Sequence, residues 1–267
     1  MLTTDIQYRQ SYLARVRKTL DSVIAVLQQN FGGAEVLSEL CQMRGYEDPK
    51  MFAHLADKGV FKMPYLSDIQ ILMQNKLDAP TLRHLGLIDD AGNYFLEGRY
   101  AIPIRNYSGV PLALVCWYPD KRKYITTGTL GFTNTATFFN ADTYKQAFKF
   151  PDGISRAFVV EGIFDALSIS SLGYCALGNQ GLPLSPVKKE MLSRFDRVYF
   201  IPDNDAPGRK SNKYLCTHSS HLWDTDNGYL IQIQSHTCKD MDDVIKKGRL
   251  DDLDSWITDN RLLRVSI

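Results

Sequence analysis

The sequence predicts an α/β protein. A parallel-sheet domain over residues 155–248 is preceded by a small mixed α+β subdomain over 66–154 and a helical amino-terminal segment over 1–65, and is followed by a helical tail over 249–267. Three observations carry this reading. After residue 155, short apolar β-branched runs alternate with helical segments, the pattern of parallel strands joined by crossover helices. Residues 93–127 alternate in polarity and are rich in β-branched and aromatic residues, with Asn106-Tyr107-Ser108-Gly109 between two apolar runs, which reads as an antiparallel hairpin sheet. At the start, apolar residues recur at Leu13, Val16, Leu20, Val23, Ile24 and Leu27, a helical stripe.

Each element has its own punctuation. Gly32-Gly33 ends the first helix, and a second covers 34–43. A third opens at Asp48-Pro49, a cap followed by proline in the first turn, and closes at Lys58-Gly59. Shorter helices follow over 67–74 and 78–85. Arg9, Arg15, Arg17 and Lys18 stud the first helix. Their plain reading is a solvated face, and the alternative is a partner- or template-binding surface. From Arg156, AFVVEG is a buried strand ending in a turn, and IFDALSISSLG a helix closed by Gly173. YCALGN is a short strand, and SPVKKEMLSRF a helix with Ser185 as cap and Pro186 behind it. RVYFIPD, then YLIQIQ, are strands; APGRKSNKYLCTH, then DDVIKKG closed by Gly248, are helices.

Composition bounds the function. The chain has 267 residues, 44% hydrophobic and 23% charged, enough to bury a core and too apolar for wholesale disorder. The formal net charge is +1, so any nucleic-acid surface is a local patch. Cys41, Cys116, Cys175, Cys216 and Cys238 fall in no CxxC or CxxxC spacing, which argues against a structural zinc site and against a disulfide framework. The start lacks the apolar core of a signal peptide, and no run is long enough to span a bilayer. A soluble, cytoplasmic protein is expected.

Carboxylates gather where the strands of such a sheet end, the place where ligands bind. Glu161 follows AFVV with Gly162 beside it and Asp165 one turn on; Asp203 and Asp205 follow VYFIP; Asp240, Asp242 and Asp243 follow YLIQIQ. Converging carboxylates repel one another unless a cation lies between them. Magnesium takes one or two carboxylates and completes its shell with water and substrate phosphate. Two such ions stabilise the attacking and leaving oxygens of a phosphoryl transfer. Gly162 and Gly208 leave room for phosphate, and Arg209 and Lys239 are placed to hold it. Taken singly, Asp203 reads as a helix cap, Asp165 as a local cap or pair, and Asp243 as a solvated first-turn residue. Glu161, directly after four apolar residues, is harder to set aside.

VVEGIFDAL, then IPDNDAPGRK, then KDMDD, each at a strand-to-helix junction, resemble the TOPRIM domain shared by DNA primases, topoisomerases and some nucleases. The segment before it, EGRYAIPIRNYSGVPLALVCWYPDKRKYITT, resembles the part preceding TOPRIM in the DnaG-like catalytic core of bacterial and phage DNA primases. Gly98-Arg99, Ile102-Pro103-Ile104, Gly109 and Lys123-Tyr124 carry that likeness, KLDAPTLRHLGL matches a short helix pair, and TATFFNADTY a linker. The resemblance covers roughly residues 66–248. It implies an enzyme that joins ribonucleoside triphosphates on a single-stranded DNA template. It further implies that Glu161, Asp203 and Asp205 are catalytic metal ligands, with Asp240 and Asp242 completing a second metal or triphosphate site. Asp165 would join the same cluster, and Arg99, Lys123, Arg209 and Lys239 would contact nucleotide or template. The expected cofactor is Mg2+ or Mn2+, with no zinc.

The chain departs from the pattern in two places. Cys116-Trp117-Tyr118 stands where the family has an arginine, and Thr135 to Phe139 where it has a linker lysine. Neither the family's zinc module nor a helicase P-loop is found. Such a compact core suits a phage or mobile-element replication protein, with template recognition and contact to a replicative helicase supplied by the amino-terminal helices or a partner. The alternatives are a TOPRIM nuclease and a non-catalytic nucleic-acid-binding relative.

Overall fold

The computed structural model describes residues 2–69, 78–118, 123–128, 135–180, 184–205, 228–231, 233, 237–248, 253 and 263–264. They form two compact units, Met1–Tyr46 with Leu55–Thr133, and Glu47–His54 with Asn134–Ile267. Among the described residues no helix is long and apolar enough to cross a membrane.

In the first unit α1 (Leu2–Phe31) is followed by α2 (Ala34–Arg44), closed by Gly45 at φ +71°. The helix α3 (Pro49–Asp57), where the Asp48 carboxylate accepts Lys50 N at 2.8 Å, is divided between the units, residues 49–54 belonging to the second and 55–57 to the first. The helix α4 (Ala79–His84) is capped by Asp78, which accepts Thr81 N at 2.9 Å. A four-stranded antiparallel sheet runs in the order β1 (Phe61–Lys62), β2 (Tyr100–Arg105), β3 (Pro111–Tyr118), β4 (Lys123–Gly128). Sequence reading missed β1, whose two residues are too few to show a period. At the β2–β3 turn Asn106 Oδ1 accepts both Ser108 N and Val110 N, and Gly109 sits at φ +79°. The helical stripe is the core face of α1: Leu20, Val23, Ile24 and Leu27 pack with Phe61, Ala101, Leu114 and Cys116. Each such aliphatic contributes about 2 kcal/mol of burial. Gln28 Nε2 donates to Gly59 O at 2.6 Å and leaves no space for a side chain there.

The second unit holds a five-stranded sheet ordered β6 (Ala176–Gly178), β5 (Arg156–Val160), β7 (Arg197–Ile201), β8 (Gly228–Leu230), β9 (Leu263–Arg264). The first four are parallel, as the alternation of strands and helices requires. The fifth pairs antiparallel with β8. It lies where the sequence suggests a helical tail; of that tail Leu253 is helical and Leu263–Arg264 are extended, taking the open edge of β8. Crossovers are made by α5 (Ile163–Ser171) and by α6 (Pro186–Leu192), where Ser185 Oγ accepts Lys188 N at 3.2 Å. The last helix is α7 (Met241–Lys246). The expected helix over 206–218 lies outside the described residues. One sheet face buries Ala157, Val159, Leu177, Val198, Phe200 and Leu230 against Leu192, Phe195 and the 3-10 helix Ala141–Phe148. Cys41, Cys116, Cys175 and Cys238 are buried free thiols.

Candidate active site

The sheet order makes β5, β7 and β8 neighbours, so the segments leaving their carboxyl ends share one edge. Glu161 is the first residue beyond β5, and its backbone oxygen accepts Gln180 N at 3.2 Å. Its Oε1 is buried with no hydrogen-bond partner. Asp165, 6% exposed in the first turn of α5, accepts Asp242 N on Oδ1 at 2.9 Å. Its other oxygen crowds Gly162, where a Cβ would lie 2.2 Å from Asp165 Oδ2. Gly162 has φ −92° and ψ 161°, open to any residue, so the glycine answers to that carboxylate and not to the backbone.

Asp203 and Asp205 follow β7 and Pro202. Lys239 Nζ stands 3.5 Å from Asp203 Oδ2 and 3.5 Å from Asp205 Oδ2. Asn204 N donates to Lys239 O at 2.6 Å, fastening this loop to the one before α7. Asp240 caps α7: its Oδ1 accepts Asp243 N at 2.9 Å, while Asp243 Oδ2 accepts Lys239 N at 3.1 Å. Asp243, read from sequence as a solvated residue, is half of this reciprocal cap. Asp242 is 2% exposed, with Oδ1 accepting Ser168 Oγ at 2.6 Å and Oδ2 2.5 Å from Lys246 Nζ. Both its oxygens are committed, Oδ1 joining α7 to α5 and Oδ2 pairing within α7.

The electrostatics are those of acid groups short of counter-charge. Burial first, then the Asp203 charge, raises the Glu161 carboxyl above its ordinary range. Burial, then Asp240 and Asp203, holds Asp165 well above it. Asp203 is also raised, because burial and the Asp240 and Asp205 charges outweigh the Lys239 ammonium beside it. Asp240 follows, again chiefly through burial. Burial pulls on Lys239 too, but Asp203, Asp205 and Asp240 overcome it and raise the ammonium. Among the described residues no three or more acidic, histidine or cysteine side chains converge to hold an ion unaided. The donor set still fits a hard divalent cation whose shell is completed by water and phosphate: oxygen ligands only, and a buried Glu161 oxygen with nothing to accept from.

The structure thus brings Glu161, Asp165, Asp203, Asp205, Lys239, Asp240 and Asp242 to one edge. The basic positions fare differently. Arg99 is 7% exposed, its guanidinium 5.8 Å from the Tyr118 ring and its Nε donating to Phe95 O at 3.4 Å, a packed arginine and not an open groove contact. Lys123 begins β4. Arg209 and Gly208 lie outside the described residues. Trp117 is 5% exposed under the Arg44 guanidinium, a packed strand residue.

Sequence reading missed three supports. Ser168 is one turn from Asp165 on the same face of α5, a spacing that signals a shared partner. Asn204 sits inside the DxD element itself. Lys188, 3% exposed, donates to Asn179 O at 2.6 Å and Asn179 Oδ1 at 3.0 Å, beneath the Phe138 ring. Burial pushes its ammonium down to about 8. Asn179 N in turn donates to Val160 O at 2.8 Å, so Lys188 braces the strand end that carries Glu161.

The Toprim-like family matches residues 158–245. Compared by sequence with curated proteins, the chain matches none. Among solved structures it is similar to the RNA polymerase domain of Mycobacterium tuberculosis primase DnaG, at 20% identity over 94% of this chain and 84% of that one, TM-score 0.72. It is similar to the zinc-binding and RNA polymerase domains of the Aquifex aeolicus primase, at 24% identity over 93% and 61%, TM-score 0.72. A DnaG primase catalytic domain bound to ssDNA superposes with TM-score 0.75 at 17% identity, over 94% and 81%. The chain therefore carries a Toprim-like domain at residues 158–245, set within the fold of a DnaG-type primase catalytic core.

Proposed function

We propose that the protein is a primase: it joins ribonucleoside triphosphates into a short RNA on single-stranded DNA. The observation that carries this reading is the set of under-compensated carboxylates of Glu161, Asp203 and Asp240, with Asp205 beside them across Lys239, at the carboxyl edge of a Toprim-like sheet. These residues would hold Mg2+ or Mn2+ in the Toprim-like unit. When bound, the ion supplies charge neutralisation to a triphosphate and favours an ionised 3′-hydroxyl. Asp242 and Asp165 act one step back: Asp242 keys α7 onto α5 through Ser168, and Asp165 receives the Asp242 amide. Lys239, which now pairs with Asp203 and Asp205, would give way to the ion at those carboxylates and be free to contact a phosphate oxygen. The nucleophile is the primer hydroxyl, and no side chain of the protein is consumed.

The test is synthesis of labelled RNA on single-stranded DNA with Mg2+ or Mn2+. Short products that vanish in Asp203→Ala support the reading. Cleavage of the DNA without synthesis would sink it in favour of a nuclease, and binding without either reaction in favour of a regulator. The assay is repeated on a primed template, so that a need for a recognition partner is not mistaken for inactivity.

A further inference from the structure

The first unit contains a groove of about 450 Å3 between α1 and the β2–β3 turn. On the α1 side it is lined by Ala14, Arg17, Lys18 and Asp21, spaced as one face of a helix. This face is separate from the buried one made by Leu20, Val23, Ile24 and Leu27. On the turn side stand Arg105 and the 108–111 segment. Three cationic side chains thus face one carboxylate. Arg17 and Lys18 are exposed and turned to solvent. Arg105 is held: its Nη1 donates to Gly109 O at 2.9 Å and lies 3.8 Å from Asp21 Oδ1. Beside the groove, at the tip of the turn, Tyr107 is 55% exposed, and Val110 on its wall is 37% exposed.

Cations that track a backbone, next to an aromatic ring presented to solvent, form the arrangement that holds single-stranded nucleic acid without reading its sequence. An arginine fixed by its own backbone contact presents its remaining donors to a phosphate at little entropic cost. An acidic peptide would use the charges but has no use for Tyr107. The groove also lies away from the positions that the family likeness assigns to template. Those are Arg99, over Tyr118, and Lys123, paired with Tyr118 at the far end of the sheet. The β2–β3 ladder separates the two ends, running from Tyr100↔Trp117 to Arg105↔Pro111. At about 3.3 Å per residue that is roughly 17–20 Å.

We propose that this groove is a second contact for single-stranded nucleic acid, with Arg17, Lys18 and Arg105 on the phosphates and Tyr107 stacking a base. The test uses the full chain and a fluorescein-labelled oligothymidylate of about sixteen nucleotides, followed by anisotropy between about 50 and 200 mM NaCl without divalent ion. The outcome is thereby independent of any nucleotidyl transfer. Arg17→Ala/Lys18→Ala should weaken binding about tenfold at the lower salt and reduce the slope of log affinity against log salt by about 1.4, or 0.7 for each phosphate no longer neutralised. Tyr107→Leu should weaken it about fivefold with the slope unchanged. Arg17→Lys should retain the slope, and thermal melts should be unchanged in all three variants. The proposal is overturned if the double variant matches the unaltered chain in affinity and slope, or if the unaltered chain fails to bind at the lower salt. It is equally overturned if Tyr107→Leu is neutral while polyglutamate competes as well as the oligonucleotide, which would make the groove a site for an acidic peptide.

Discussion

Gly162→Ala should disturb the acidic site by volume alone. The backbone accepts alanine at φ −92° and ψ 161°, and restricting the unfolded chain would then stabilise the protein by about 0.4–1 kcal/mol. The new Cβ, however, would stand 2.2 Å from Asp165 Oδ2, where ordinary contact begins at 3.4 Å, so one of the two must yield by about 1.2 Å (3.4 minus 2.2). Asp165 is buried and its Oδ1 holds Asp242 N at 2.9 Å, a bond that does not survive such a displacement. Leaving the buried Asp242 N–H without its acceptor costs about 1–3 kcal/mol. The net loss is about 1–2 kcal/mol, read as a fall of roughly 2–8 °C in melting temperature for a chain of this size. Urea titrations and melts of Gly162→Ala, Asp165→Ala and the double variant decide the matter. With the Asp165 carboxylate gone, Gly162→Ala should become neutral or slightly stabilising. An equal loss in both backgrounds, or no loss in either, refutes the steric argument.

Four further outcomes follow from the same geometry. Ser168→Ala takes the donor from a carboxylate that is 2% exposed, and should cost about 1.5–3 kcal/mol in urea titration with primer synthesis reduced; an unaltered urea midpoint would show that the α5–α7 link carries no load. Glu161→Gln removes a charge that burial and Asp203 both disfavour, so it should raise the melting temperature, by about 2 °C, while abolishing synthesis; a lower melting temperature contradicts the electrostatic account. Burial lowers the Lys188 ammonium to about 8, so between that pH and the ordinary lysine range the unfolded chain binds the extra proton and stability rises with pH. Melts between about pH 7.5 and 10 should show that rise in the unaltered chain and a flatter profile in Lys188→Met. Lys239→Gln should tighten Mg2+ or Mn2+ binding in calorimetric titration yet slow synthesis; weaker ion binding would argue that the amine does not compete for the carboxylates.

Punctuation residues and apolar period made most of the fold readable. Asp48 and Ser185 act as caps where the sequence places them, Asp78 caps the helix expected from that position, and Gly173 and Gly248 stand at φ +93° and +60° after their helices. Of the acidic strand ends Glu161 is the most legible, because a carboxylate directly after an apolar run has few structural excuses; Asp203 and Asp240 read as caps until taken together with it. What was hidden depends on distance along the chain. Nothing in a local window couples Ser168 to Asp242, 74 residues on, or shows that Asp242 has spent both oxygens before any ligand arrives. Arg99 is a nucleotide or template contact only as the family resemblance implies, and no local pattern shows that it is buried with its guanidinium 5.8 Å from the Tyr118 ring. The groove at Arg17 and Lys18 was half visible as a basic stripe, and its other half, Arg105 and the turn, is supplied by tertiary structure.

Lys239 gives the carboxylate site a particular economy of change. Its ammonium stands between Asp203 and Asp205, anchored from behind by Asn204 on its own carbonyl. Were the proposed ion to enter, it would take over carboxylates that Lys239 already partly compensates. On the proposed reading the chain could fold with Lys239 as a provisional counter-ion, and the amine would be freed for a phosphate by the ion that replaces it.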